Sequence, residues 1–409
     1  MKDLIPVIRF EGFEGEWKKV KLGDIGSWSK GKLLSKDDIS ENGKYKCIHY
    51  GELFKLYNEI VYQVFSRTDL NNACLSQIGD ILFPDSDVTP TGLARCSSIM
   101  AAGVILGGGI LILRPLPQYY SPFISLSVNN EKRQIISRIT GTSVRHINST
   151  ALSEIEITCS NDIAEQQSIS NYFTKLDEEL TLQTQKLSKL QQIKAASLQN
   201  MFPQEGQMLP KVRFAGFEGE WERVRLGEIA QFFKGKGYSK NDLTEKGSPI
   251  FLYGMMYTKY RFAVNEVDTY TDKDFSSLLS QGNEVIIPAS GETAEDIACA
   301  SAFLIKDVIL GGDLNVICFD LSLYSTPFIA LSISNGSSRK YLSKCAQGKS
   351  VVHLRNSDIK TVVLSLPSLP EQQAIANYFT KLDRKIELET QKLEKLKQIK
   401  SACLSKMFV

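Results

Sequence analysis

The chain is poor in the residues and patterns that announce chemistry. It has three histidines, His49, His146 and His353, in 409 residues, and no His/Cys/Asp/Glu cluster with metal-ligand spacing. Its eight cysteines (Cys47, Cys74, Cys96, Cys159, Cys299, Cys318, Cys345 and Cys403) never form C-x-x-C. That excludes a zinc ribbon and argues for free thiols in a reducing cytoplasm. No apolar run reaches membrane-spanning length; "GVILGGGILIL" from Gly103 is too short and is broken by glycines. The leading "MKDLIPVIRF" has no apolar signal-peptide core. Charge of neither sign prevails: the formal net charge is +2, so a polyanion would need a local patch rather than a global field. "AQGKS" at Ala346 resembles the end of a P-loop, but Ser343 stands where the motif requires glycine. Pro84-Asp85 could open a nuclease carboxylate motif, yet its lysine-paired partner is absent. There is no dinucleotide-binding glycine fingerprint, methyltransferase signature or nucleophile elbow. The chain alone reads as non-catalytic.

What the sequence does contain is itself, twice. "VIRFEGFEGEWKKVKLGDI" from Val7 returns as "KVRFAGFEGEWERVRLGEI" from Lys211. "SPFISLSV" from Ser121 returns as "TPFIALSI" from Thr326, and "GTSVRHI" from Gly141 as "GKSVVHL" from Gly348. "EQQSISNYFTKLDEEL" from Glu165 returns as "EQQAIANYFTKLDRKI" from Glu371. The offset stays between 203 and 207 residues, which marks one duplicated unit with small insertions. The copies agree best in the opening segment and the closing helix. They agree least between Lys44 and Met100 and its counterpart, Ser248 to Phe303. Fixed parts suit a shared scaffold or partner; diverged parts suit two different targets.

Each copy reads as a mixed α+β body. "GDILFP" and "GVILGGGILIL" are β-branched runs bounded by glycine, with "LGGG" at Leu106 as a hairpin turn. "SPFISLSVNNEKRQIISRI" has helical spacing after a Ser-Pro start. The expected architecture is two repeated mixed α+β bodies separated by an antiparallel coiled coil of two long helices, with pseudo-twofold symmetry. The boundaries are a first body over 1–158, a first helix over 159–202, a linker over 203–221, a second body over 222–365 and a second helix over 366–409. In the first helix Ile169, Phe173, Leu176, Leu180, Leu187 and Leu190 form a heptad seam. Ile375, Phe379, Leu382, Ile386, Leu393 and Leu396 repeat it in the second. Asp162 with Glu165, and Ser368 with Glu371, fit capping boxes, and Pro203 stops the first helix. Gln183, Glu389, Lys194 and Lys400 occupy skipped seam positions, where polar residues fix register and partner. The helices are expected to pair with each other inside one chain; the alternatives are packing of each on its own body, or a homo-oligomeric coil.

Several repeated polar residues are candidates for contact with a polyanion. Lys30, Lys32 and Lys36 return as Lys234, Lys236 and Lys240, around Gly31 and Gly235, where glycine lets a backbone approach phosphates. The plain alternative is solvated lysines. Ser143, Arg145 and His146, against Ser350, His353 and Arg355, suit hydrogen bonds to base edges or phosphates, or else a structural turn. Tyr50 and Tyr253 read as core or groove residues. The loops after the "GDILFP" strand and its counterpart differ most, which offers Ser86, Thr89 and Thr91 in one copy against Ser290 and Thr293 in the other. They are unlike readers, or surface loops free to drift.

Two diverged bodies, each opened by "RF-x-GFEGEW" and closed by an "EQQ…I…YF…LD" helix, resemble the specificity subunit of Type I restriction-modification enzymes over essentially the whole chain. "LPSLPEQQAIANYFTKLD" carries the likeness most fully; the first copy, "SNDIAEQQ", lacks the prolines. The resemblance implies a DNA-binding subunit without catalytic residues, in which two target-recognition domains each read half of a bipartite double-stranded site. It implies an antiparallel coiled coil that spaces them and docks two methyltransferase subunits, with restriction subunits in the full complex. S-adenosylmethionine, ATP and Mg would belong to those partners. The place would be the cytoplasm, away from any membrane. Readers one B-DNA turn apart, about 34 Å or 10 base pairs, would leave unread pairs between the halves. A stand-alone bipartite DNA-binding regulator, and an adaptor that never touches DNA, are the competing readings.

Overall fold

The computed structural model describes residues 4–71, 74–258, 260–272, 278–348 and 351–409. It divides into two compact units, Met1–Thr184 with Gln391–Val409, and Gln185–Thr390. We call them unit 1 and unit 2.

In unit 1 the run Asp80–Pro84 is buried at every residue, as a central strand should be. It lies between Ile110–Pro115 and Ser97–Ile99, antiparallel to both. Gly26–Lys30 extends the sheet on one side, and the short strand Ile60–Val61, parallel to Ser97–Ile99, ends it on the other. A second sheet holds Tyr45–Ile48 between Arg67–Thr68 and Ile105–Leu106. Unit 2 repeats the larger sheet with Ala230–Lys234, Leu314–Phe319, Glu284–Pro288, Ser301–Phe303 and Ala263–Val264 in that order. The helix Ser121–Asn130 begins on Pro122 and is buried along most of its length. Its counterpart, Thr326–Ser334, does the same in unit 2.

The "LGGG" stretch is not a hairpin. Ile105–Leu106 and Ile110–Pro115 belong to different sheets, and the glycines make the turn that carries the chain from one to the other. Alternation marks both segments as strands but does not say which neighbour each will pair with.

The two long helices are Ile163–Asn200 and Leu369–Met407, of 38 and 39 residues. The first ends three residues before Pro203. Each helix gives its first half to one unit and its second half to the other. Within each unit the two halves pack antiparallel. In unit 1 Lys392 pairs with Glu179 at 2.9 Å and Lys400 with Asp177 at 2.6 Å, while Tyr172 meets Cys403. In unit 2 Lys186 pairs with Glu389 and Lys194 with Asp383, both at 2.5 Å, and Ser197 meets the Tyr378 hydroxyl. Of the seam, Ile169, Phe173, Leu176, Leu190, Ile375, Phe379, Leu382 and Leu393 are buried, and Leu180, Leu187, Ile386 and Leu396 are half-buried. Gln183 is also buried.

The helix ends complete the cores. Phe408 packs on Phe123 at 5.4 Å and on Trp17 and Phe173 at 6.1 Å. Phe202 takes the same place in unit 2, against Phe328 at 5.8 Å and Phe379 at 6.1 Å. The dipeptide Met-Phe after each seam, at 201–202 and 407–408, is the sequence trace of this plug.

The capping boxes do not form. Arg9 grips Glu165 through Nε at 2.6 Å and Nη2 at 2.9 Å, and the Trp17 indole donates to the same carboxylate at 3.1 Å. Arg213 grips Glu371 in the same way at 2.8 and 2.7 Å. Each arginine also donates to a carbonyl of its own opening turn, that of Gly15 or Gly219. The next residue is structural as well: Gln166 accepts from Tyr120 N, and Gln372 from Ser325 N. The opening segment and the E-Q-Q start are therefore held together by a partly buried, bidentate ion pair, which is stronger than a surface pair. This contact supplies a packing reason for both segments to persist in both copies.

Candidate nucleic-acid interface

The two features singled out in each copy as separate loops turn out to be one ladder. Ser86–Asp87 pairs antiparallel with Arg145–His146, placing Ser86 opposite His146 and Asp87 opposite Arg145. In unit 2 Ser290–Gly291 pairs with Val352–His353, placing Ser290 opposite His353 and Gly291 opposite Val352. The frame is shared and its side chains differ: Asp87 and Arg145 give way to Gly291 and Val352. Arg355 is thus not the counterpart of Arg145; it precedes the one-turn helix Asn356–Ile359 and its backbone N–H donates to Asp358.

Lys30 joins this site, its ammonium 2.6 Å from Asp85, which directly precedes the ladder. Sequence reasoning missed Asp85 and Asp87, because carboxylates are not expected at a polyanion site. Asp87 accepts from the Thr89 hydroxyl at 2.8 Å, and Arg145 donates to the Val88 carbonyl. Tyr50 is tied in through Gly109, whose carbonyl accepts from Asp85 N. Gly109 has φ +102°, and a Cβ there would lie 2.7 Å from the Tyr50 ring. Lys32, Lys234 and Lys236 are exposed. Lys36 and Lys240 open one-turn 3-10 helices, each closed by a serine–aspartate box, whose carbonyls are held by Thr68 and Thr271. Among the described residues no hydrogen bond or ion pair links those two lysines to the ladders.

Other candidates are committed to structure. Thr89 caps Pro90–Leu93 by accepting from Gly92 N at 3.2 Å, and Thr293 caps Ala294–Ile297 by accepting from Asp296 N at 3.1 Å. The Thr91 hydroxyl, beside them, donates to that of Thr89. Ser290 is buried, with its hydroxyl donating to Asp313 at 3.2 Å. Gly31 and Gly235 admit the chain's own backbone rather than a phosphate: a Cβ would sit 2.1 Å from the Gly107 carbonyl or 1.9 Å from that of Gly311. Ser143, His146 and His353 are exposed. Ser350 lies outside the described residues.

Beside the second ladder lies a concavity of about 890 Å³, walled by Tyr253, Met256, Tyr257, Ser290, Gly291 and Val351. The Tyr257 hydroxyl donates to the Ser290 carbonyl at 2.6 Å, and burial pushes its pKa upward, so it stays a donor. It steadies the ladder from behind. The thiols are quiet: burial pushes Cys47 and Cys318 up to about 11 and Cys159 and Cys299 up to about 12. Among the described residues no group of three or more His, Cys, Asp or Glu could hold a metal ion, and no helix is long and apolar enough to cross a membrane.

The duplication is matched by a known family, the Type I restriction modification DNA specificity domain, over residues 14–192 and again over 218–398. The chain belongs to that family. As a specificity-domain protein it is 20% identical over 407 residues to the Type I restriction enzyme MjaVIII specificity subunit of Methanocaldococcus jannaschii, covering 95% of this chain and 91% of that one. It is 22% identical over 275 residues to the putative type I specificity subunit S.MgeORF438P of Mycoplasma genitalium, covering 65% of this chain and 64% of that relative. Its fold is similar to the crystal structure of the S subunit of a Type I restriction-modification system from M. genitalium, with TM-score 0.64 and 16% identity over 99% of each chain.

Proposed function

We propose that this chain is the non-catalytic subunit that gives a Type I restriction-modification enzyme its DNA sequence specificity, acting in the cytoplasm. Each unit reads one half of an asymmetric double-stranded site, and the long helices recruit two methyltransferase subunits, which restriction subunits join in the full complex. S-adenosylmethionine, ATP and Mg serve those partners.

The observation that carries this reading is the ladder built twice on one frame with unlike residues. Base edges are told apart by their donor and acceptor patterns. A partly exposed cation and carboxylate in one unit, against a buried valine and a glycine that present no polar side chain in the other, would favour different bases. Lys30 would exchange Asp85 for a phosphate on binding, a contact that positions without specifying.

The test is co-expression with a Type I methyltransferase subunit from the same source, followed by mapping of modified bases. The expected result is two short half-sites of unlike sequence separated by a fixed number of unread pairs. Methylation at a palindrome, or none, would overturn the proposal.

A further inference from the structure

The strand Glu222–Arg225 of unit 2 points Arg223 and Arg225, two residues apart, to one face. The helix Gly336–Cys345 brings Lys340 and Lys344, one turn apart, against it. The four cations line a concavity of about 520 Å³ with the hydroxyls of Tyr341 and Thr361, which meet at 3.2 Å. All four cations are exposed, and among the described residues none is in an ion pair. Glu205 is the one carboxylate among the lining residues. In a chain of net charge +2 such a gathering is a local excess that repels itself until an anion enters.

Unit 1 has the same frame with a smaller excess. Lys19 and Lys21 stand where unit 2 has Arg223 and Arg225. Lys21, however, pairs with Glu154 at 2.7 Å and lies opposite Glu156 in its ladder. The corresponding residues of unit 2 are Thr361 and Val363, and Arg225 lies opposite Val363. Ile135 and Leu342, both fully buried, put the two helices in register, which places Arg133 at Lys340 and Ser137 at Lys344. Arg138, where unit 2 has Cys345, restores the fourth cation but donates to the Glu154 carbonyl, so unit 1 sets two carboxylates, Glu154 and Glu156, against its cations where unit 2 sets Glu205 alone.

We propose that this pocket binds the phosphodiester backbone of duplex DNA beyond the bases read by unit 2, an inference that rests on the reading of the chain as a DNA specificity subunit. Continuity favours DNA over an acidic protein. The cationic helix ends two residues before Gln347, which bridges to His353 of the second ladder. The row of charge is therefore continuous along the chain with the reading site. Arginine and lysine on repeating spacings suit a line of phosphates better than one anion. Because the excess is smaller in unit 1, where Glu154 takes up Lys21, the grip is stronger on one flank of the site.

The test compares the full chain with Lys340→Gln/Lys344→Gln, bound to the methyltransferase, on two duplexes: one carrying the mapped site and one of unrelated sequence. Each lost phosphate contact lowers the salt slope of log affinity by about 0.9, so the double variant should lose about 2. Affinity should fall by the same factor on both duplexes, leaving their ratio unchanged, and Lys340→Arg/Lys344→Arg should restore it. Arg133→Gln in unit 1 should change the slope by less than one lysine does. Unchanged slope and affinity on both duplexes would overturn the inference, as would loss of methyltransferase assembly with DNA binding intact, which would make the pocket a protein contact. If wild type failed to distinguish the duplexes, the specificity reading would fall, while the slope would still report on the pocket.

Discussion

Glu165 has no solvent-exposed side-chain surface and receives Arg9, Trp17 and Ser160 on its two oxygens. Removing one partner of a buried pair leaves the other uncompensated, which costs about 3–5 kcal/mol. Glu165→Ala should lower the urea midpoint accordingly. Glu371→Ala should lower it less, because Pro367 replaces Ser160 and offers no hydroxyl, and the Trp221 indole N–H has no partner to lose. Equal losses would show that the arginine alone matters. His49 offers a pH test. Its Nδ1 accepts from Gly51 N at 3.1 Å, and burial lowers its pKa below the usual 6.5. The folded state prefers neutral imidazole, so this stability is intact above pH 6.5 and is lost as pH falls from there through the lowered pKa. His49→Asn, which keeps a side-chain acceptor, should flatten that part of the stability profile of unit 1; an unchanged profile would assign the loss to other groups. The residue types at these sites were plain in the sequence, but their partners were not. Local rules offer Glu165 a helix end three residues away, whereas the structure gives it an arginine 156 residues away.

At the scale of elements, the seam was legible because heptad spacing survives whatever surrounds it. Its buried residues match the periodic set, and Lys194 and Lys400, polar at skipped positions, meet Asp383 and Asp177. The ladders were not legible, since two-residue strands have no periodicity and their pairing crosses 58 or more residues of chain, as between Asp87 and Arg145. The plugs were visible only as a repeated Met-Phe, a dipeptide too short to weigh without the core around it. Phe408→Ala removes a ring from the cluster of Trp17, Phe123 and Phe173, and large-to-small changes of this kind cost about 3–5 kcal/mol. Calorimetry should show the transition of unit 1 falling while that of unit 2 holds. Phe202→Ala should do the reverse. A common shift of both transitions in either variant would mean that the units melt as one.

For the whole molecule, duplication predicts modularity. Replacing residues 222–365 by the body of unit 1 should yield a chain whose methylated site carries the same bases in both halves, read by modification mapping. A site with the original unlike halves would place specificity outside the bodies. The repeat made this division legible from the outset, and the small net charge already required any DNA contact to be local. The opposite fates of one shared surface, neutralised by Glu154 in one copy and left cationic in the other, emerged only when strand and helix were seen together. Unit 1 needs residues 391–409 to close around Trp17 and Phe123, so a ribosome making this protein must have added those residues before the first-born half can mature. Until then that half waits with an open aromatic socket, and a product cut short before residue 391 is one that proteases should clear.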